Sequence, residues 1–297
     1  MRKFAVRPAL TLKGRKFKGL RGFAGKPFHP PLTDIPIAYL ATTTAHPGKN
    51  AAGDERLFAI YYGDSRPGVV KTDNRSLATR TADKQGINIG TFGGHYLRTT
   101  TIGPGRLDGL LWAAGQIGQW GKQKHGAYAF DAEAGYQLPG SLRPWLRIGY
   151  SLFSGDGDSK HNQHGTFIPL LPTPRIYARF PWFTEANLQD AFAQVILRPG
   201  NRLTLRSDID DLRLANSHDL WYTGGGAYDN SVFGYTGRTS NGQSSLGTMY
   251  DLSADYQLRK STTLSLYLAY VNGGEVISQI YKGREAVFSY LEVTQRF

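Results

Sequence analysis

The sequence predicts an all-β fold, a transmembrane up-and-down antiparallel β-barrel, and three observations lead to that fold class. Apolar and polar residues alternate with a period of two in many segments of roughly ten residues, as barrel strands do. The connections between these segments alternate between tight turns and long loops. Gly (36), Tyr (17) and Phe (15) are abundant, which is typical of β-rich proteins.

The clearest alternation lies in residues 201–210, where Leu203, Leu205 and Ile209 share one face and charged residues share the other. The same pattern recurs in residues 126–138, 142–152, 250–258 and 263–270. No segment has a helical period. We therefore predict about 11 strands, near residues 3–10, 56–63, 86–97, 107–120, 125–138, 142–154, 189–198, 201–214, 248–258, 262–272 and 287–297.

The connections also predict which end of each strand faces the periplasm. Tight turns contain Pro139-Gly140-Ser141, Pro199-Gly200-Asn201 and Arg259-Lys260-Ser261, whereas long loops occupy 155–188, 215–247 and 273–286. Barrels of the bacterial outer membrane have short periplasmic turns and longer extracellular loops. Phe297 resembles the terminal aromatic residue of these proteins and is assigned to the periplasmic rim. Because successive connections alternate between the two sides of the membrane, residues 64–85 are extracellular and residues 11–55 form a long periplasmic loop.

A soluble β-sandwich gives the same alternation, because one face of each of its strands is buried and the other is wet. Two features favour the barrel. The apolar faces carry Tyr136, Tyr150, Tyr250 and Tyr256 near strand ends, as an interfacial aromatic girdle does. The polar faces carry full charges in mid-strand, which a wet lumen accommodates.

Charge and missing motifs exclude several classes of protein. The chain has 35 Lys and Arg against 23 Asp and Glu, a net charge of +12, which predicts an anionic partner. Nucleic acid is not favoured, because no block of basic residues occurs. Cysteine is absent, and the seven His residues are scattered, so no metal site or cofactor is predicted. We find no nucleophile elbow, phosphate-binding loop or dinucleotide fingerprint, and therefore predict that the protein is not an enzyme.

Several ordered segments resemble the alginate export family of bacterial outer-membrane proteins. They are LLPTPRIYARFP at 170–181, the segments 203–206 and 211–215, the run 219–226, and the closing residues 290–297. The likeness covers roughly residues 125–297 well and residues 1–124 loosely.

The resemblance implies a barrel of about 18 strands with an Arg-lined, electropositive lumen. It also implies a long periplasmic loop that plugs the pore, which corresponds to residues 11–55. The chain is then a single barrel-domain fragment, 1–297, lacking roughly seven strands and a signal peptide. The expected location is the bacterial outer membrane. The expected partners are an anionic, alginate-like polysaccharide, membrane lipid and periplasmic export machinery.

Charged residues on the polar faces are candidates for the substrate pathway. Arginine binds carboxylates through two parallel hydrogen bonds and keeps its charge, so a series of arginines would pass a polyuronate between weak sites. Alternatively, the same arginines form salt bridges that merely satisfy the wall. The candidates are Arg7, Arg147, Arg198, Arg202, Arg206 and Arg213, with Asp131, Glu133, Asp208 and Asp210 interleaved.

Aromatic residues in the predicted extracellular loops are weaker candidates for stacking on sugar rings. They are Tyr177, Trp182, Trp221 and Tyr222, and the alternative is that they pack their loops together. Three functions stay open: export of an alginate-like polyuronate, a general porin for anions or small solutes, and a soluble β-sandwich binding module.

Overall fold

The computed structural model has 14 strands among the described residues, and eleven of them follow one another as antiparallel neighbours in a single sheet. It describes residues 38–44, 51–66, 68–170, 180, 182–224 and 235–296, which belong to the unit formed by residues 37–297. The strands are β1 (Ala38–Thr44), β2 (Ala51–Asp64), β3 (Ile87–Ile102), β4 (Gly105–Trp120), β5 (Gln123–Gln137), β6 (Trp145–Phe153), β7 (Gln163–His164), β8 (Leu188–Leu197), β9 (Leu203–Arg213), β10 (Leu220–Gly224), β11 (Tyr235–Thr239), β12 (Ser245–Arg259), β13 (Thr262–Gly273) and β14 (Glu285–Gln295).

The sheet has the order β1-β2-β3-β4-β5-β6-β8-β9-β12-β13-β14, so its strands follow one another in chain order once the short strands β7, β10 and β11 are set aside. The two-residue strand β7 pairs in parallel with β5, and β10 and β11 form a separate hairpin. This is the up-and-down order that the sequence predicts. Among the described residues, β1 and β14 are the two edges and do not pair with each other, so the sheet is an open, incomplete barrel.

The strand connections define two ends of the sheet. At the turn end, β3 and β4, β5 and β6, β8 and β9, and β12 and β13 are joined by short connections. At the loop end lie the long connections 65–86, 154–187, 214–244 and 274–284, together with the tight turn at Gly121-Lys122. The predicted alternation of short turns and long loops is confirmed.

The predicted strands from residue 125 onward correspond to β5, β6, β8, β9, β12, β13 and β14, with ends that differ by a few residues. The prediction of a continuous loop over 11–55 is wrong in part, because residues 38–44 form β1 and β2 begins at Ala51. Residues 3–10, predicted as a strand, and the first part of the predicted plug loop lie outside the described residues. A plug in that part of the chain stays a prediction.

Two short helices were not predicted: α1 (Leu77–Ala82) and α2 (Glu275–Ile280), both in connections at the loop end. The Ser76 hydroxyl caps α1 by accepting a hydrogen bond from the backbone N–H of Thr79 at 3.2 Å. Each helix has six residues, too few to show a 3.6-residue period in the sequence. In the described part of the chain, no helix has the length and apolar character needed to cross a membrane.

The two faces of the sheet differ in their surroundings. On the outer face, large apolar side chains are exposed along most strands, including Leu57, Leu111, Ile148, Leu252 and Leu266. No second sheet packs on this face within the ranges that the structure describes. A β-sandwich would bury one face against another sheet, so that alternative is wrong.

The inner face has its buried apolar cluster toward the loop end. There, inward-pointing residues such as Phe153, Leu188 and Met249 pack against loop residues such as Phe167 and Trp221 in one buried cluster. Toward the turn end, the inner face is mostly polar and charged, with Trp145 and Ile196 among the charged residues. The long loops therefore cover the inner face at one end and leave a polar wall at the other.

Candidate functional site

A row of polar side chains crosses the inner face near the turn end. Its members lie side by side in the register of neighbouring strands, and we call them the inner polar row. From β4 to β12 they are Asp108, Arg147, Gln194, Asp208 and Asp251, with Gly135 of β5 between the first two.

Hydrogen bonds connect three members of the inner polar row from strand to strand. The Arg147 guanidinium donates to Gln194 Oε1 at 2.9 Å, and the Gln194 amide donates in turn to Asp208. Asp251, directly opposite Asp208, accepts a hydrogen bond from the Tyr267 hydroxyl at 2.9 Å. Arg147, Gln194 and Asp208 are therefore a connected network, and such networks fix side-chain positions.

Arg147 also forms an ion pair with Glu133, and both side chains are largely shielded from solvent. For Arg147 and Glu133 this geometry agrees with the alternative interpretation, in which a wall arginine is neutralised by a wall carboxylate. Asp131, one step further toward the loop end, accepts a hydrogen bond from the Ser151 hydroxyl at 2.9 Å.

Carboxylates are concentrated in the middle of the inner face. Asp190, Asp210 and Asp251 each have one buried oxygen without a hydrogen-bond partner. Asp208 and Asp210 thus lie on the inner wall, as predicted, but Asp210 is buried, with an exposed fraction of 7%. Across the described ranges, no group of three or more His, Asp or Glu residues is arranged to hold a metal ion.

Arg198, Arg202 and Arg206 lie around the turn between β8 and β9. Arg206 is on the inner face of β9, between Ile196 and Ser253 of the adjacent strands. Arg202 precedes β9, and its carbonyl accepts a hydrogen bond from the backbone N–H of Gln257 at 2.7 Å. None of the three arginines forms an ion pair with another described residue, whereas Arg147 does.

Two of the predicted pathway residues do not lie on the described inner wall. Arg213 has the parity of Ile209 and Leu203, so it is on the outer face, where it forms an ion pair with Asp211 at 2.9 Å. Its assignment to the lumen was wrong, because the alternation of side chains along β9 turns position 213 outward. Arg7 lies outside the described residues.

Trp221 and Tyr222 are buried rather than available for stacking on sugars. Trp221 and Tyr222 have exposed fractions of 6% and 1%. Trp221 packs against Trp182 with ring centroids 6.2 Å apart, and Trp182 is itself partly buried in the same cluster. The stacking hypothesis is therefore wrong for Trp221 and Tyr222, and Tyr177 lies outside the described residues.

Tyr222 is held by a buried aspartate in the same loop region. Its hydroxyl donates to Asp219 Oδ1 at 2.8 Å, and the Thr166 hydroxyl donates to Asp219 Oδ2 at 2.6 Å. Burial raises the pKa of Asp219 to about 6, although these hydrogen bonds lower it. The contacts join the loop after β6 to the hairpin β10–β11, which is a structural role.

Several inner-wall residues were missed from the sequence. Asp108, Gln194 and Asp251 complete the inner polar row, and Trp145 lies beneath Arg147 on β6. These residues alternate with apolar neighbours along their strands, and that pattern would have placed them on the same face as Arg147 and Asp208. Toward the turn end of β2, Arg56 and His95 both contact Asp54, at 3.4 Å and 3.0 Å, in a further polar group on the inner face.

Comparison with known proteins gives the chain a family. A search of curated proteins found no match. Residues 68–284 match the alginate export family, a range that includes every strand of the described sheet from β3 to β13. Because this match covers well over half of the chain, the protein belongs to the alginate export family, whose members are outer-membrane channels for polysaccharide export.

Proposed function

We propose that this protein is a passive, anion-selective channel that carries an alginate-like polyuronate across the outer membrane. The observation that carries the proposal is the group of Arg198, Arg202 and Arg206 at the turn end of the inner face. These arginines make no ion pair with other described residues, which leaves their charge for a ligand. No catalytic step is proposed, because transport through a channel needs none.

The chemistry of arginine suits this substrate class. Each guanidinium offers a planar fork that can bind a carboxylate through two parallel hydrogen bonds. Arg202 and Arg206 are four residues apart, or about 13 Å along the strand at roughly 3.3 Å per residue. That separation exceeds the Debye length of about 8 Å at physiological salt. The two arginines would therefore act as separate weak sites along which successive uronate units pass.

The carboxylates of the inner face would prevent the polymer from binding too tightly. On β5 to β13, inward-facing carboxylates outnumber inward-facing guanidinium groups. The carboxylates are Asp131, Glu133, Asp190, Asp208, Asp210, Asp251 and Asp255, and the guanidinium groups are those of Arg147 and Arg206. A polyanion that leaves the arginines meets repulsion, which favours release over retention.

The orientation of the channel follows from the two ends of the sheet. We assign the turn end to the periplasm and the loop end to the cell exterior, as short and long connections indicate for outer-membrane barrels. The exposed apolar outer face would contact lipid. Tyr136 and Tyr256 toward the turn end, with Tyr128 and Tyr250 toward the loop end, would lie at the two interfaces. Periplasmic export machinery would meet the turn end, where the arginines lie.

Blockade of ionic current tests the proposal. In planar bilayers, the reconstituted protein should conduct ions, and oligomannuronate added on the turn side should block the current at concentrations where dextran of equal length does not. Equal effects of the charged and the neutral oligosaccharide would contradict a polyuronate channel.

The excess of carboxylates over guanidinium groups on the inner wall also fits the second candidate, a general porin for small solutes. Such a porin would show weak ion selectivity and no block by either oligosaccharide. The reversal potential under a salt gradient separates the candidates, because the polyuronate channel should favour anions.

A further inference from the structure

We infer that Trp145 is a positioning residue that holds Arg198 in place as a binding subsite for a uronate carboxylate at the turn end of the inner wall. The inference rests on the proposed function and adds to it one residue and one subsite. Trp145 is the first residue of β6 and points to the inner face, as Arg147 does.

The ring of Trp145 lies against two guanidinium groups. Arg147 Cζ is 4.8 Å from the ring centroid, and Arg198 Cζ is 5.5 Å from it. Both distances fall within the range of about 6 Å for a cation–π attraction. The indole ring is therefore a common surface for an arginine of β6 and an arginine of the turn after β8.

Trp145 is itself held in one orientation. Its indole N–H donates to Asp108 Oδ2 at 2.7 Å. Gly135, on the strand between them, leaves the space that this bond needs. A Cβ atom at position 135 would lie 2.5 Å from Trp145 Nε1 and 2.7 Å from both Asp108 carboxylate oxygens. A side chain there would have to displace the ring or the carboxylate.

The backbone of Arg198 is fixed by the neighbouring turn. Its N–H donates to the Leu142 carbonyl at 2.7 Å. Its carbonyl accepts a hydrogen bond from Arg143 Nε at 3.4 Å, and Arg143 also contacts the Gly200 carbonyl. These bonds join the turn between β5 and β6 to the turn between β8 and β9. They fix the backbone of Arg198, from which its side chain extends to the Trp145 ring.

The two arginines on the ring differ in their remaining contacts. Arg147 is paired with Glu133 and donates to Gln194, so its charge is already compensated by a carboxylate of the inner wall. Arg198 forms no ion pair with any residue that the structure describes. Its guanidinium donors are directed by the ring but not neutralised, which suits it to receive a carboxylate from outside the protein.

A uronate unit supplies that carboxylate and a neutral hexose does not. Removing the contact between the Trp145 ring and Arg198 should therefore reduce the affinity for oligouronate. Any weak affinity for a neutral oligosaccharide should not change. Exposed cation–π contacts correspond to a change of about 2- to 5-fold in a binding constant. The loss of the guanidinium itself should have a larger effect, of about 10-fold or more.

The experiment measures the dissociation constant of oligomannuronate from the concentration dependence of current block. Trp145→Leu should raise it about 3-fold, and Trp145→Phe should restore most of the affinity, because it keeps an aromatic face. Gly135→Ala should raise the dissociation constant as Trp145→Leu does, because it displaces the Trp145 ring without removing it. Arg198→Gln should give the largest loss, and Arg213→Gln, on the outer face, is the matched control and should change nothing.

The outcomes separate this inference from the proposed function. If oligomannuronate fails to block the unmodified protein, the proposed function is wrong, and the subsite inference is wrong as well. If it blocks the unmodified protein and either Trp145→Leu or Arg198→Gln leaves the dissociation constant unchanged, the inference is wrong and the channel proposal stands. If Trp145→Leu prevents assembly, equal block of Trp145→Phe, Gly135→Ala, Arg198→Gln and the unmodified protein would overturn the inference.

Discussion

Exchanging one residue on each face of β13 tests whether the outer face contacts lipid. Leu266 points outward with an exposed fraction of 43%, whereas Ser265 points inward and donates to Asp255 at 2.6 Å. The two positions are adjacent in sequence and belong to the same strand. Leu266→Arg and Ser265→Arg therefore add the same side chain at nearly the same depth but on opposite faces.

The expected cost follows from the depth of the site. Leu266 is the fifth residue of β13, about 13 Å from the start of the strand at roughly 3.3 Å per residue. With a tilt of about 40°, this is about 10 Å along the membrane normal, close to the middle of an apolar band about 25 Å tall. An arginine there should cost about 2–4 kcal/mol, or roughly 30- to 700-fold in the unfolding equilibrium constant.

The inward arginine should cost far less. At position 265 its guanidinium could pair with Asp255, and an ion pair in a wet lumen changes stability by about 1 kcal/mol or less. Urea unfolding of the protein in lipid vesicles, followed by tryptophan fluorescence, gives both values. Equal destabilisation by the two substitutions would refute the assignment of the faces.

Three further substitutions test the wall and the backbone. Replacing Arg202 and Arg206 together by Glu should shift the reversal potential under a salt gradient toward cation selectivity. An unchanged reversal potential would show that the two arginines have only a structural role in the wall. Glu133→Gln removes the carboxylate that pairs with Arg147 and should increase anion selectivity in the same measurement. Reduced anion selectivity would argue against an inner position for Arg147 and Glu133. Gly118→Ala should lower the melting temperature, because φ is +148° there and a Cβ would lie 1.9 Å from a backbone carbonyl oxygen of β3.

The strands were predictable because their side chains alternate between two different environments. In β9, Leu203 and Leu205 face outward and Arg206 and Asp208 face inward, as the sequence alternation predicts. The same rule would have corrected the error at Arg213, since position 213 has the parity of Leu203. Short turns were recognised because Pro and Gly mark them directly.

Features that depend on contacts between distant segments were not predictable in the same way. Trp221 is buried because the hairpin β10–β11 folds onto the loop end of the inner face, and no local pattern marks that packing. β1 was missed because a single barrel strand carries a weak signal, and AYLATTT at residues 38–44 has only two large apolar or aromatic residues.

The candidate site was predicted in part. Parity identified Arg147, Glu133 and Asp208 on the inner wall, but the strand register needed to connect them with Gln194 and Asp251 depends on pairing across the sheet. Register is set by the turns and by the packing of both faces. For that reason the sequence indicated which residues line the wall but not which of them neutralise one another.

Transport of the polymer itself tests the central claim most directly. Liposomes that contain the protein and are loaded with fluorescent polymannuronate or with neutral dextran of equal length should release the polymannuronate faster. The Arg202→Glu and Arg206→Glu double variant should slow that release and leave dextran unchanged. Equal release of the two polymers, or release of neither from vesicles whose ionic conductance proves that the channel is inserted and open, would contradict the account.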